Sequence, residues 1–196
     1  RFGSSIRFNG TDGFVMTSAT GELLGTDGNK PRTISFWTYV EGNNPRSQPG
    51  FYGYGDLSCP NGTNKYWAIR SIKDNNYRRF ISQHWCWDPR SNHGTDIRVD
   101  WVHVAHLYNG SDVSIFVNGE IASNWTRSQI STGNGQAFQF GRWRNDANAY
   151  YGGELDDMRV YDDALSEGEI QKITQGDDLL ETLVHMQFSI DATQSP

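Results

Sequence analysis

Two sets of residues in this 196-residue chain have the types and spacing to do chemistry: paired carboxylates in a late strand-like run, and aromatic rings set among arginines. The carboxylates are Asp156 and Asp157, followed by Met158 and Val160. By two-residue alternation, Asp156 shares a face with Met158 and Val160. A carboxylate pointing with core side chains must be paired, hydrogen-bonded or bound to a metal. The rings gather twice, with Tyr54, Trp85 and Trp87 in the middle of the chain and Trp143 with Tyr150 and Tyr151 later. Trp and Tyr present flat faces on which the apolar C–H face of a sugar can stack, while nearby polar groups read its hydroxyls. Arg142, Arg144, Asn145 and Asp146 supply such groups around Trp143. Arg78 and Arg79 suit the anionic oxygens of a uronate or sulfate, because a guanidinium offers a planar fork of donors. For any one ring, packing in the core or under a loop remains the ordinary reading.

Cys59 and Cys86 fit one disulfide or two buried thiols; a disulfide would pin the aromatic region and be worth about 3 kcal/mol by loop closure. No Cys-x-x-Cys spacing points to zinc. His103 and His106 lie three apart in a strand-like run, so they face opposite sides and do not form a metal pair. Nothing resembles a nucleophile elbow.

The elements that must carry these residues read as strands. Ile6–Phe8 leads through Asn9-Gly10-Thr11-Asp12-Gly13 into Phe14–Met16. Thr33–Val40 alternates cleanly, with Ile34 and Phe36 on one face. Trp101–Tyr108, Val113–Val117 and Glu120–Ala122 are separated by Asn109–Asp112 and Asn118-Gly119, both hairpin turns by composition. Ala137–Gly141 is a further short strand, and Trp37 and Trp101 read as core residues. One helix is signalled: Ser166 and Glu169 form a capping box, Leu165, Ile170 and Ile173 are its apolar contacts, and Gly176 ends it. Residues 41–50 and 88–96 are rich in Gly, Asn, Pro and Ser and read as loops. The pattern predicts an all-β antiparallel sandwich in one domain, residues 1–196.

The net charge of −6 disfavours nucleic acid as a partner. No run of about 18 apolar residues is present to enter a membrane. Four Asn-x-Ser/Thr triplets, at Asn9, Asn61, Asn109 and Asn124, agree weakly with secretion.

The segments RFGSSIRFNGTDGFV, TISFWTYV, WVHVAHLYNGSDVSIFVNGEIA, FQFGRW and GELDDMRVYDDALSEGEI occur in one order over roughly residues 2–173. In this they resemble the laminin-G-like members of the concanavalin A-like lectin/glucanase superfamily. The resemblance implies a jelly-roll sandwich of two antiparallel sheets, an extracellular or cell-surface setting, and a glycan or glycoconjugate as ligand. It also places the inward Asp of the late strand near the N-terminal hairpin. A structural Ca²⁺ held by Asp156 with Asn9 or Asp12, aided by Asp157, follows from that. The alternative is that Asp156 bonds backbone amides of the hairpin without a metal. Related hydrolases carry Glu-x-Asp-x-x-Glu, but here Arg159 stands where the second Glu is required, and a retaining mechanism needs two carboxylates.

Relatives usually open with one more strand. Its match, LVHMQFSIDATQSP, lies at Leu183–Pro196, so residues 177–196 are expected to fill the first strand's place, the alternative being that they begin a following domain. The expectation is a non-catalytic, lectin-like carbohydrate-binding module of a larger extracellular protein. Ligand contacts would come from Trp85, Trp87, Trp143, Arg142, Arg144, Tyr151, Arg78 and Tyr54. Neighbouring domains of the same chain would be partners. A protein-interaction or adhesion domain is the alternative, and a cryptic glycoside hydrolase the second alternative.

Overall fold

The computed structural model describes residues 5–40, 48–57, 65–74, 77–84, 100–127 and 130–176. Trp85, Trp87, Cys59, Cys86 and residues 177–196 lie outside them. The described elements are β1 (Ile6–Asn9), β2 (Val15–Met16), β3 (Arg32–Val40), β4 (Gly50–Gly55), β5 (Tyr66–Asp74), β6 (Tyr77–Gln83), β7 (Val102–Tyr108), β8 (Asp112–Val117), β9 (Glu120–Thr126), β10 (Gln136–Phe140), β11 (Gly152–Tyr161) and α1 (Glu167–Gln175). They form a jelly-roll sandwich. Sheet A runs β1-β11-β3-β7-β8-β9, sheet B runs β2-β10-β4-β5-β6, and every pairing is antiparallel.

Alternation builds the core. Ile34, Phe36 and Val40 of β3 meet Phe51, Tyr52, Ile69, Phe80, Phe138 and Phe140 of sheet B between the sheets. Fully burying one such side chain contributes about 1.5–3 kcal/mol. On the outer face of sheet A a second layer forms, where Leu165, Ile170 and Ile173 of the helix segment cover Ala105, Leu107, Phe116 and Tyr161. The helix is capped as its sequence predicts. The Ser166 side chain accepts from the Glu169 amide, Glu169 accepts from the Ser166 amide, and Gly176 closes the end at φ 97°. Asn118 and Gly119 turn β8 into β9 with positive φ at both positions, as a two-residue hairpin requires.

The sequence signals name no strand between Val40 and Trp101, yet β4, β5 and β6 lie there. β4 begins at Gly50, at the end of the stretch 41–50 that reads as loop, and the missing side chains of Gly50 and Gly53 make room for a segment laid across the sheet.

The expected facing of Asp156 is corrected. Between the pairs Asp156↔Trp37 and Arg159↔Ser35, β11 advances three residues while β3 advances two. The extra residue is Asp157, in the left-handed region at φ 47°. Leu155 before this bulge and Met158 and Val160 after it face the core. Asp156 therefore lies opposite to them, on the outer face of sheet A beside Trp37. Its Oδ1 accepts from the Asp157 amide at 2.8 Å, and Asp157 Oδ1 accepts from Arg159 Nε at 2.8 Å.

Polar groups also cross the inter-sheet core. The Tyr52 hydroxyl meets His106 Nδ1 at 2.7 Å, His106 Nε2 meets Ser82 Oγ at 2.6 Å, and Ser82 Oγ meets His84 Nε2 at 2.8 Å. Trp67 stacks on the His106 ring, with centroids 4.1 Å apart. Burial pushes His106 well below its ordinary pKa and His84 down to about 3, so both rings are neutral. His103 faces the other way, as its spacing from His106 predicts, and meets Thr174 Oγ1 of α1 at 2.8 Å.

Candidate functional site

The chain leaves β10 through Gly141, at φ 80°, where a side chain would collide with the Phe8 ring. From there residues 142–150 fold back across the outer face of sheet B. Arg142 bridges Tyr150, and the Tyr151 amide donates to the Gly141 carbonyl at 2.7 Å. The loop is fastened to the glycines of β4. The Gly50 amide donates to the Ala149 carbonyl at 2.9 Å, and a Cβ on Gly50 or Gly53 would overlap Trp143.

Trp143 is the anchor of this loop. It is 2 % exposed and packs with Tyr66, Ala68 and Ala149. Its Nε1 donates to the Gln48 carbonyl at 3.1 Å, and its own carbonyl accepts from the Tyr66 hydroxyl and from Gln139 Nε2. Burial raises the Tyr66 pKa, so that hydroxyl stays a donor. The guanidinium carbons of Arg144 and Arg70 lie 4.3 Å and 5.4 Å from the Trp143 ring. A sugar-stacking role for Trp143 is thus corrected, because protein already covers its ring.

Tyr151 and Tyr54 are corrected for the same reason. Tyr151 is fully buried between the sheets, and its hydroxyl meets Thr38 Oγ1 at 2.6 Å and the Tyr39 carbonyl at 2.9 Å. Tyr54 is fully buried, stacks on Phe138 and donates to the Thr26 carbonyl at 3.2 Å. Arg32 closes that end of the core, donating to Tyr54, Thr132 Oγ1 and the Gly28 carbonyl. Arg78 occupies a place on β6, paired with Lys73, and its side chain lies outside the described residues.

Among the described residues, the exposed aromatic ring lies one strand further out, at Phe14. Val15 of β2 pairs with Phe140 and turns inward, so Met16, paired with Gln139, turns outward with Phe14. Phe14 is 38 % and Met16 58 % exposed. The Phe14 ring stands 6.3 Å from that of Tyr150, itself half-buried. Arg142 packs against Phe14, its guanidinium carbon 3.4 Å from the centre of that ring and 5.8 Å from that of Tyr150. Arg142 Nε donates to Gln139 Oε1 at 2.7 Å, and Nη1 donates to Asn145 Oδ1 at 3.3 Å and to the Tyr150 hydroxyl at 3.4 Å. Arg144 Nη2 donates to Asp146 Oδ2 at 2.9 Å, and Asn145 and Asn148 are exposed at the loop tip. The result is a rigid edge of two rings with amide, carboxylate and guanidinium groups within reach. Arg142, Arg144 and Tyr150 were legible as loop residues beside Trp143. Phe14 was hidden in a hairpin that reads only as fold, and its signal was the two-residue alternation around Val15.

The expected calcium ligands do not gather. Asn9 pairs with Gly152, and Ile6 with Leu155, so Asp156 lies four residues along β11 from the partner of Asn9. That is about 13 Å, whereas one Ca²⁺ holds its oxygens at about 2.4 Å. Asn9 instead organises its own turn. Its Oδ1 accepts from the amides of Thr11, Asp12 and Gly13, and its Nδ2 donates to Asp12 Oδ1 at 2.8 Å. Among the described residues no three of His, Cys, Asp and Glu come together as a metal site.

A search of curated proteins finds no match. Solved structures of similar fold include a native heptameric SAP-like pentraxin from Limulus polyphemus, at 15% identity and TM-score 0.67, with 87% of this chain and 81% of that chain covered. Domain 4 of an extracellular arabinanase from Geobacillus stearothermophilus, in complex with arabinotriose, is similar at 18% identity and TM-score 0.65, covering 89% and 78%. The CBM40 of the Ruminococcus gnavus IT-sialidase, bound to alpha2,3 sialyllactose, is similar at 13% identity and TM-score 0.65, covering 87% and 96%. The model of one family matches residues 9–171, most of the sequence, and the chain belongs to the concanavalin A-like lectin/glucanases superfamily.

Proposed function

We propose that this domain is a non-catalytic carbohydrate-binding module acting outside the cell, and that it holds its glycan at the Phe14–Tyr150 edge of sheet B. The observation that carries the reading is the pairing of a partly exposed ring with a guanidinium and amides on an edge fixed by β2, β10 and the Trp143 anchor. An exposed ring offers a face to the C–H side of a sugar, and preorganised donors read its hydroxyls at little entropic cost. The arabinotriose and sialyllactose complexes of similarly folded domains agree with it. That arabinanase is extracellular, which agrees with the setting.

Among the described residues, the carboxylates of β11 do not face this edge. Glu154 and Asp156 lie on the outer face of sheet A, away from the rings, and Asp156 bonds the amide of its own bulge. Ser82 and His106 hydrogen-bond each other but are fully buried, beyond the reach of a polymer. A glycan array, with and without EDTA, tests the proposal. Binding to one glycan class with no hydrolysis of the bound sugar is expected. EDTA sensitivity would bring calcium into the site through donors other than Asp156 with Asn9. No binding under either condition would leave the adhesion reading in its place.

A further inference from the structure

The Phe14–Tyr150 edge carries a positive charge that neutral groups hold in place. Arg142 is 6 % exposed, so nearly all of its side chain is out of water. A buried charge ordinarily meets a countercharge. Among the described residues its hydrogen-bond partners are the amide oxygens of Gln139 and Asn145 and the hydroxyl of Tyr150, all neutral. The Phe14 ring packs against the guanidinium at 3.4 Å, and the Tyr150 ring stands to one side at 5.8 Å. These partners orient the guanidinium without cancelling it. Nε is turned to the buried Gln139 and Nη1 to Asn145 and Tyr150, and no hydrogen bond within the described residues uses Nη2.

The surroundings have the same sign. Arg144 and Arg70 flank the Trp143 ring next door on the same face of sheet B, with Asp146 bonded to Arg144. Across the sandwich, Glu154, Asp156 and Asp157, the last paired with Arg159, lie on or beside the outer face of sheet A, with Glu167 and Glu169 on the first turn of α1 and Lys172 on its last. A chain of net charge −6 thus keeps a local cationic face, and such a face draws anions to itself.

We infer that the ligand is an acidic glycan, with a sugar carboxylate or sulfate meeting the outward edge of Arg142 while the ring stacks on Phe14. The inference rests on the carbohydrate-binding reading and narrows it. A planar guanidinium recognises both anions through charge-assisted bonds, and the anion supplies the countercharge that the protein withholds.

The test uses the whole chain in calorimetry against three oligosaccharides: an oligogalacturonate carrying carboxylates, a carrageenan oligosaccharide carrying sulfates without uronate, and a neutral galactan oligosaccharide. The expected result is binding to one or both acidic probes at least about tenfold tighter than to the neutral one, weakening as salt rises. The arm that binds identifies carboxylate or sulfate as the source of the anion. Arg142→Gln should abolish the acidic preference. Because Arg142 is buried, that variant is checked for its melting transition. Asp146→Asn then supplies an independent reading: removing the carboxylate beside Arg144 should raise affinity for the acidic probe and leave the neutral one unchanged. Equal affinity for neutral and acidic probes, or an acidic affinity indifferent to both substitutions, overturns the inference and leaves the carbohydrate-binding reading standing. Failure of all three probes together with a blank glycan array removes that reading itself.

Discussion

At the scale of single residues, two rings a few ångströms apart in depth do different work. Phe14 is 38 % exposed at the sheet edge, while Trp143 is 2 % exposed beneath the loop that bears Arg142. Phe14→Ala is expected to weaken glycan binding by at least about tenfold and to lower unfolding free energy by only about 1–2 kcal/mol, the cost of uncovering Arg142. Trp143→Ala leaves a large void and strands the Gln48 carbonyl, so a loss of about 3–5 kcal/mol is expected in urea denaturation. Similar destabilisation by both substitutions would refute this division of roles. The sequence makes Trp143 look like the ligand contact because Arg142, Arg144 and Asn145 surround it, and those neighbours do line the edge. Which ring is swallowed depends on Gly50 and Gly53, nearly a hundred residues earlier, and no local pattern carries that information. Tyr151 misleads in the same way. Its neighbours are loop-like, but its hydroxyl reaches Thr38 and the Tyr39 carbonyl of β3 inside the sandwich.

At the scale of elements, the strands with clean alternation and Asn-Gly turns were legible, as was the helix with its capping box. The strands that escaped, β4 to β6, break the rule that interior strands are rich in branched residues. Their outer faces hold Gly53, Ala68, Arg70 and Gln83, chosen for what lies over them. The bulge in β11 shows a sharper limit. Alternation assigns Asp156 to the core only if the strand is regular, and one extra residue inverts every assignment beyond it. Asp157 carries that residue at φ 47°, a conformation Asp tolerates better than most side chains. Asp157→Gly should keep the bulge. It exchanges relief of the backbone for loss of the Arg159 bond, with a net effect within about 1–2 kcal/mol. Deleting Asp157 should be far worse, because regular alternation would turn either Leu155 or both Met158 and Val160 out of the core. Thermal melts of the two variants distinguish them. A deletion variant that melts with the wild type would show that β11 has no need of the bulge.

At the scale of the whole molecule, the two sheets are tied by a polar chain that constrains the pH at which they stay together. Tyr52 and Ser82 of sheet B hold His106 of sheet A, with His84 at the end of the chain. Two guanidiniums act on this chain: Arg127 and then Arg32 on His84, and Arg32, 5.2 Å from the Trp67 ring that stacks on His106, on His106 as well. Both work with burial against a protonated imidazole. In the unfolded chain these histidines titrate near the ordinary 6.5, whereas His84 is held down to about 3, His106 well below its usual value, and His103 to about 4. Their contribution to stability is therefore complete above about pH 6.5. It declines as pH falls, because the unfolded state takes up protons that the folded state refuses. Each such histidine adds about 1.4 kcal/mol of lost stability per pH unit in that window. The decline should begin above the range where Asp27, Asp112 and Glu169 titrate, since those carboxylates are shifted downward. Urea denaturation between about pH 7 and about pH 5 reads the histidines with little contribution from the acids. His84→Gln retains an amide to meet Ser82 and removes one titrating group, so its stability should fall less steeply with acid by about 1.4 kcal/mol per unit. An unchanged slope in that variant would mean that His84 is not held neutral between the sheets, and that acid opens the sandwich elsewhere.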